Sequence, residues 1–231
     1  MPVQQFGELL SNPKKLTQHI LKVFFCALVL AILAMLFIDQ PLSAYFAEKE
    51  VKDLYWAWAR ILTDIGLSEY YFILALGTWA FTKWIAPLIT AFKKHPNKVD
   101  YYRRWGLNFF VALLVCGAMT HIIKFLAGRQ RPHKSPDFDP YVFNPFTTHW
   151  HWHSFSSGHS QVIFTAATMM SVAFPRFRWF WIPFAMLICA TRVVVHDHFL
   201  SDIIMGAAVG YIGTLLALQL MRKKTKNGLY P

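Results

Sequence analysis

The chain has 231 residues, 55% of them hydrophobic and only 15% charged, with a mean hydropathy of +0.34. That balance excludes an ordinary soluble globular domain and points to a protein embedded in a membrane. The net charge of +11 does not argue for nucleic acid, because the basic residues gather in short segments between apolar runs and form no nucleic-acid-binding motif.

Residues 1–19 form a polar arm, with Lys14 and Lys15 ahead of the first apolar run. Ile20–Ile38 is the first predicted membrane helix. It is too long for the apolar core of a signal peptide, and Asp39-Gln40-Pro41 is not a cleavage site. Pro41 is expected to end it, and residues 39–69 follow as a net acidic loop. Within that loop, 51–65 places Leu54, Trp58, Ile61 and Ile65 at helical spacing, which predicts an amphipathic surface helix.

The second predicted span is Tyr70–Phe92, interrupted by Lys83 and Pro87. Lys83 reads as a snorkelling or interfacial lysine. Residues 93–104 carry five Lys/Arg against the single Asp100. The third span is Trp105–Leu126, ending at Gly128, and a proline-rich polar loop occupies 127–156. Ser160–Phe174, Trp179–Val195 and Asp202–Met221 are the fourth, fifth and sixth spans. Gly206, Gly210 and Gly213 in the last allow close helix approach. Cys26, Cys116 and Cys189 lie inside apolar runs with no metal spacing and read as small hydrophobes.

The basic segments share one side if the N-terminal arm, 93–104, 175–178 and the tail at 222–231 face the cytoplasm. The expectation is an all-α fold: a six-transmembrane-helix bundle, one domain over 1–231, with both termini cytoplasmic. That topology brings Lys124, His159, Arg192, His198 and Asp202 to one depth on the outer face. Charge near a membrane is costly, so such convergence argues for function.

Arg131, Arg192 and Lys124 suit a multiply charged oxyanion, the arginines as planar forks and the lysine as a point charge. Ser156 or Ser157 can cap the fourth helix, whose free N–H groups around Gly158 and His159 then face the same anion. Taken singly, Arg131 is an ordinary loop charge and Ser157 a plain cap; the combination is what points to phosphate. His198 and Asp202 are one helical turn apart, so the carboxylate can orient one ring nitrogen and leave the other to attack phosphorus. His159 lies across the site, where it can protonate the leaving oxygen.

Lys124-x6-Arg131-Pro132, Ser156-Ser157-Gly158-His159 and Arg192-x5-His198-x3-Asp202 together resemble the three-part signature of the type-2 phosphatidic acid phosphatase superfamily. The resemblance implies that Lys124, Arg131 and Arg192 hold phosphate, with hydrogen bonds added by Ser157 and Gly158. It further implies that His198 becomes a phosphohistidine, that Asp202 supports it, that His159 is the general acid, and that neither metal nor other cofactor is needed. Two positions depart from the family pattern: Ser156 stands where proline is usual, and Thr191 where serine is usual.

His149, His151 and His153, interleaved with Trp150 and Trp152, would share one face of an extended segment. A metal site is conceivable there, but no carboxylate or cysteine accompanies them, so headgroup contact or an aromatic lid is preferred. His196 and Asp197 read as supporting residues beside His198.

The resulting expectation is a bacterial inner-membrane lipid phosphatase with a periplasm-facing site. Its substrate class covers undecaprenyl diphosphate, phosphatidylglycerophosphate, phosphatidic acid and lipid A phosphates, the first two preferred. Its partners are the lipid substrate and the bilayer, not nucleic acid. Two competing readings are a vanadate-dependent haloperoxidase, disfavoured by six spans, and a non-catalytic phospholipid transporter or sensor. The sensor is disfavoured because binding alone needs only the cations.

Overall fold

Asn12-Pro13 is a strong helix start. In the computed structural model, which describes residues 3–48 and 54–224, the Asn12 side chain accepts a hydrogen bond from Lys15 N at 3.2 Å and Pro13 takes the first helical position. Helix α2, Pro13–Phe37, therefore begins before the expected Ile20, and a short helix α1, Val3–Ser11, precedes it. The chain breaks at Ile38 and resumes as α3, Asp39–Ala47. This corrects the expected loop. Pro41 falls in the first turn of α3, where a missing N–H costs no hydrogen bond.

Residues 51–53 of the expected amphipathic helix lie outside the described residues. The remainder is α4, Leu54–Thr63, followed by a 3-10 turn at Asp64–Gly66. Leu54, Trp58 and Ile61 point outward, while Ala59 and Thr63 are buried. The apolar stripe thus faces the surroundings, as suits lipid, and the small residues face the protein.

The second expected span is not one continuous helix. Helix α5 covers Ser68–Ala80, then a π turn at Phe81–Ile85 and a 3-10 turn at Ala86–Leu88 carry the chain past Pro87. Lys83 Nζ lies 4.7 Å from the centroid of Trp79 and 5.2 Å from that of Trp84, a cation held on two aromatic faces. After α6, Thr90–Lys93, helix α7 runs from Pro96 to Ala127. The basic stretch at 96–104 is therefore helical rather than loop, again opened by a proline.

The last three helices are α8, Gly158–Ala173; α9, Arg178–Val194; and α10, Leu200–Lys224. They match the expected spans to within two or three residues at each end. Helix α10 is the central post, packed on α2, α7 and α8; α8 also meets α9, α5 lies on α7, and α4 on α9. The glycine expectation holds. A Cβ on Gly206 would lie 2.4 Å from Ser157 O, and one on Gly210 2.3 Å from Gln161 O. Only glycine lets α10 and α8 approach this closely.

Among the described residues the regular structure is helical, and the β pairing is one isolated bridge between Arg129 and Phe143. Four segments, Pro13–Phe37, Pro96–Ala127, Pro175–Val194 and Leu200–Arg222, are long and apolar enough to cross a membrane. Helix α8 has 16 residues. At about 1.5 Å per residue it is shorter than a hydrocarbon core of about 30 Å.

Candidate active site

The site lies where the loop at 128–157 folds over the end of α7 and meets the starts of α8 and α10. Gly128 ends α7 with φ +58°, and a Cβ there would fall 1.8 Å from Asn144 O. Both facts require glycine. The loop is then laced to itself. Asn144 N donates to Gly128 O at 2.6 Å, Arg131 N to His151 O at 2.9 Å, and Ser154 N to Arg129 O at 3.0 Å. Lys124, buried near the end of α7, donates from Nζ to His153 O.

Helix α9 ends in a Schellman cap. Asp197 N donates to Arg192 O at 3.1 Å and His196 N to Val193 O at 3.0 Å, with His196 at φ +59°. His198 N also reaches Arg192 O, at 3.2 Å. The cap therefore ties the backbone of Arg192 to that of Asp197 and His198. The fixed spacing of the third motif is a helix end folded back on itself.

Asp202 occupies the third position of α10 and accepts from Phe199 N at 2.9 Å, the reciprocal half of a capping box. It also accepts from Ser154 Oγ at 2.5 Å and from Arg129 at 2.6 Å. His198 Nδ1 stands 3.6 Å from Asp202 Oδ2 and has no closer hydrogen-bond partner. The two groups are thus neighbours just beyond hydrogen-bond distance. Burial pushes the His198 pKa well below its ordinary value; Asp202 opposes that shift, and the cations Arg131 and Lys124 reinforce it.

Arg129 is fully buried and uses its whole fork. It donates to Asp202 at 2.6 Å, Ser201 Oγ at 2.6 Å, Asp39 at 2.9 Å and Pro140 O at 2.9 Å, with its guanidinium 4.3 Å from the Phe199 ring centroid. Asp39 also accepts from Ser201 N at 3.0 Å and from Ser201 Oγ. A sealed network thus links the start of α3, the 128–157 loop and the start of α10.

The other cations gather around Asp197. Arg192 donates to Thr63 Oγ1 at 2.7 Å and to Asp197 at 2.6 Å. Arg131 lies 3.5 Å from Asp197 Oδ1 and 5.2 Å from the Trp150 ring centroid. Asp197, expected only as a neighbour of His198, bridges the two arginines. His159 and Lys124 line the same cavity. The His159 ring also packs on Gly66, where a Cβ would come within 2.8 Å of His159 Cδ2. The segment after α4 is therefore a wall of the site: Thr63 holds Arg192 and Gly66 backs His159.

Ser157 is the cap of α8, accepting from Ser160 N at 3.3 Å and from Ser160 Oγ at 3.0 Å. Ser156 is buried without a hydrogen-bond partner for its hydroxyl and does not share the capping. Gly158 has ordinary space around it, the nearest atom to an added Cβ being Lys124 Cε at 4.0 Å. The three loop histidines do not share an extended face. Trp150–Trp152 is a 3-10 turn, the His149 and His151 rings stack at 5.8 Å, and His153 Nε2 hydrogen-bonds Thr147 O at 2.9 Å.

A cavity of about 530 Å³ runs from Lys124 and His159 between α5, α7 and α8, past Leu113, Leu114, Phe72 and Val162. Its lining combines Lys124 and His159 with apolar side chains of the bundle, as an amphiphile with an anionic head requires.

All eight residues expected at the site lie at one end of the bundle. Arg129, Asp39, Thr63 and Gly66 join them there without being expected. Two of these had a usable signal. Asp39 is an acid at the end of an apolar span and Arg129 a third base in the Lys124–Arg131 stretch, and ionisable groups at membrane depth call for partners. Thr63 and Gly66 carry no such mark.

The PAP2 superfamily profile matches residues 105–226, which contain all three motifs. The chain is 30% identical to a lipid A 1-phosphatase of Rhizobium johnstonii over 193 residues, 83% of this chain and 77% of that protein. It is also 30% identical to a lipid A 4'-phosphatase of Porphyromonas gingivalis over 146 residues, 62% of this chain and 61% of that one. In fold it resembles a transmembrane PAP2 type phosphatidylglycerolphosphate phosphatase from Bacillus subtilis, with a TM-score of 0.61 at 18% identity over 90% of this chain and 98% of the other. By the profile, which spans more than half its length, and by the long match to the Rhizobium protein, the chain belongs to the PAP2 superfamily.

Proposed function

We propose that this protein, an integral membrane phosphatase of the PAP2 superfamily, removes phosphate from the saccharide head of a lipid A-type glycolipid. The head is the finer part of the reading. It moves the preference from undecaprenyl diphosphate and phosphatidylglycerophosphate toward lipid A phosphates, on the strength of the two relatives so named. The observation that carries the catalytic part is the meeting of His198, Asp202, His159 and three cations drawn from three separate stretches of chain.

Asp202 faces His198 Nδ1, leaving Nε2 as the nucleophile. Nε2 attacks phosphorus while Lys124, Arg131 and Arg192 hold the phosphoryl oxygens and stabilise their growing charge. His159 gives its proton to the leaving oxygen as the P–O bond breaks, and a phosphohistidine results. Deprotonated His159 then takes a proton from water as that water attacks phosphorus, restoring His198 and releasing inorganic phosphate. The cationic side chains supply the charge for this route, so no metal enters it.

The same reading places six segments across a bacterial inner membrane, with α5 and its π and 3-10 continuation to residue 88, and the short α8, completing the four long spans. Both termini and the basic segments face the cytoplasm, and the site faces the periplasm. The lipid reaches the phosphate pocket through the cavity beside α5.

The test is phosphate release from lipid A 1-phosphate, phosphatidylglycerophosphate and undecaprenyl diphosphate, with EDTA present, by wild type and His198→Ala. The expectation is release with a preference for lipid A and a loss of at least about 10³-fold in the variant. Equal release by both proteins would refute the covalent histidine, and a preference for either of the other lipids would refute the saccharide head. A cysteine placed at exposed Asp137 should react with an impermeant maleimide from the periplasm; labelling from the cytoplasm alone would overturn the topology.

A further inference from the structure

Asp197 lies among the groups assigned to phosphate. One of its oxygens is 2.6 Å from Arg192, and the other is 3.5 Å from Arg131 and 3.9 Å from His133 Nδ1. One carboxylate thus spans two guanidiniums, as an oxyanion ligand would. We infer that Asp197 is an internal counter-anion that holds the arginines of the empty pocket and must swing away when the substrate phosphate binds. The inference rests on the proposed assignment of Arg131 and Arg192 to phosphate.

Three features make the exchange workable. The arginines keep other anchors once the carboxylate leaves: Arg192 donates to Thr63 Oγ1 at 2.7 Å, and Arg131 to the Asp197 carbonyl and Trp150 O, both at 3.3 Å. The Schellman cap holds Asp197 and His198 by their backbone N–H groups on Arg192 O, so the Asp197 side chain can rotate without moving His198. Finally, Asp197 keeps 22% of its side-chain surface exposed, unlike Asp202 at 0%.

The charge balance explains why such a group is present. Lys124, Arg131 and Arg192 are largely buried together, and buried like charges without an anion are costly. Asp197 offsets part of that cost in the empty state. A carboxylate has two oxygens, and Arg192 Nε is left buried with no hydrogen-bond partner. A phosphoryl group, with more oxygens and up to two charges, has an acceptor for that donor. The consequence is uniform: Asp197 competes with every anion by the same factor, so substrate phosphate and product orthophosphate are both held less tightly than the cations alone would hold them. Asp197 is therefore a positioning residue that loosens the hold on orthophosphate and eases its release.

The experiment measures the inhibition constant of orthophosphate against lipid A hydrolysis, and the orthophosphate-induced rise in melting temperature, both at fixed ionic strength. Wild type, Asp197→Asn and Asp197→Ser are compared; Asp197→Ser serves if Asp197→Asn is not folded. Removing the competing charge should lower the constant about tenfold, equivalent to about 1.4 kcal/mol, and enlarge the melting shift. An unchanged constant would overturn the inference, and a raised one would show that Asp197 instead props the arginines in place. If wild type neither releases phosphate nor gains stability from orthophosphate, the phosphate site itself is refuted. If it does both and the variants bind no tighter, only the counter-anion falls.

Discussion

Two Arg–Asp clusters stand side by side in this molecule and are built to opposite ends. The sealed one sets Arg129 between Asp39 and Asp202, all fully buried, two carboxylates to one guanidinium. The open one sets Asp197 between Arg131 and Arg192, with Lys124 nearby, one carboxylate to three cations. In the sealed cluster every terminal nitrogen of the guanidinium has a partner, and the remaining carboxylate oxygens accept from Ser154 Oγ and Ser201 N. In the open cluster a guanidinium Nε–H goes unmatched and positive charge is in excess. The same two residue types therefore make a structural joint in one place and, in the other, the cluster proposed to bind phosphate. Solvent access and charge ratio decide which.

That contrast breaks most visibly in stability. Arg129→Leu leaves two carboxylates buried without their cation and should cost roughly 3–5 kcal/mol, seen as a large fall in melting temperature in detergent. Arg192→Leu should leave the melting temperature near that of wild type, or raise it, while kcat/KM drops about 10²–10³-fold. If the two variants lost stability alike, the division into joint and site would be wrong.

A smaller effect concerns His198, which bridges the two clusters through Asp202. Its folded-state pKa is lowered by burial, so the imidazole stays neutral where the unfolded chain, with a value near 6.5, already takes up a proton. Stability is then fully present above about pH 6.5 and declines as pH falls below that value. The acid limb of kcat/KM should correspondingly lie below pH 6.5. His198→Asn should flatten the decline in melting temperature between pH 6.5 and 5; an unchanged slope would show that other groups carry it.

The smallest expected change is at Ser157, whose hydroxyl caps α8 beside the open cluster. Ser157→Ala should cost about 1 kcal/mol of stability with KM little altered. A tenfold rise in KM would instead put that hydroxyl on the phosphate.

Proline reads as a stop at Pro41 in the sequence, yet it sits in a first helical turn there, as it also does at Pro13 and Pro96. Hydropathy located the starts of α2 and α7 late, because helices continue past the apolar run once a proline and its preceding residue open them. Where periodicity and composition agreed, as in α8 to α10, the boundaries were read closely. The Leu54–Trp58–Ile61 stripe was legible as a stripe, but which side it faces depends on neighbours that spacing does not reveal.

What the sequence determined alone was the class of molecule and the residue types proposed for its site. Apolar runs of membrane length, basic segments between them and three motifs of charged and imidazole groups are local properties, readable because each residue type has few reasons to stand near a membrane. What only the tertiary structure decided was pairing. Asp39 finds Arg129 from ninety positions away, Thr63 finds Arg192 from further still, and Asp197 turns from a bystander into the anion between two arginines. Those outcomes depend on which charges the packed helices seal from water and which they leave within reach of a ligand. Contacts between distant segments set that, and no spacing along the chain encodes it.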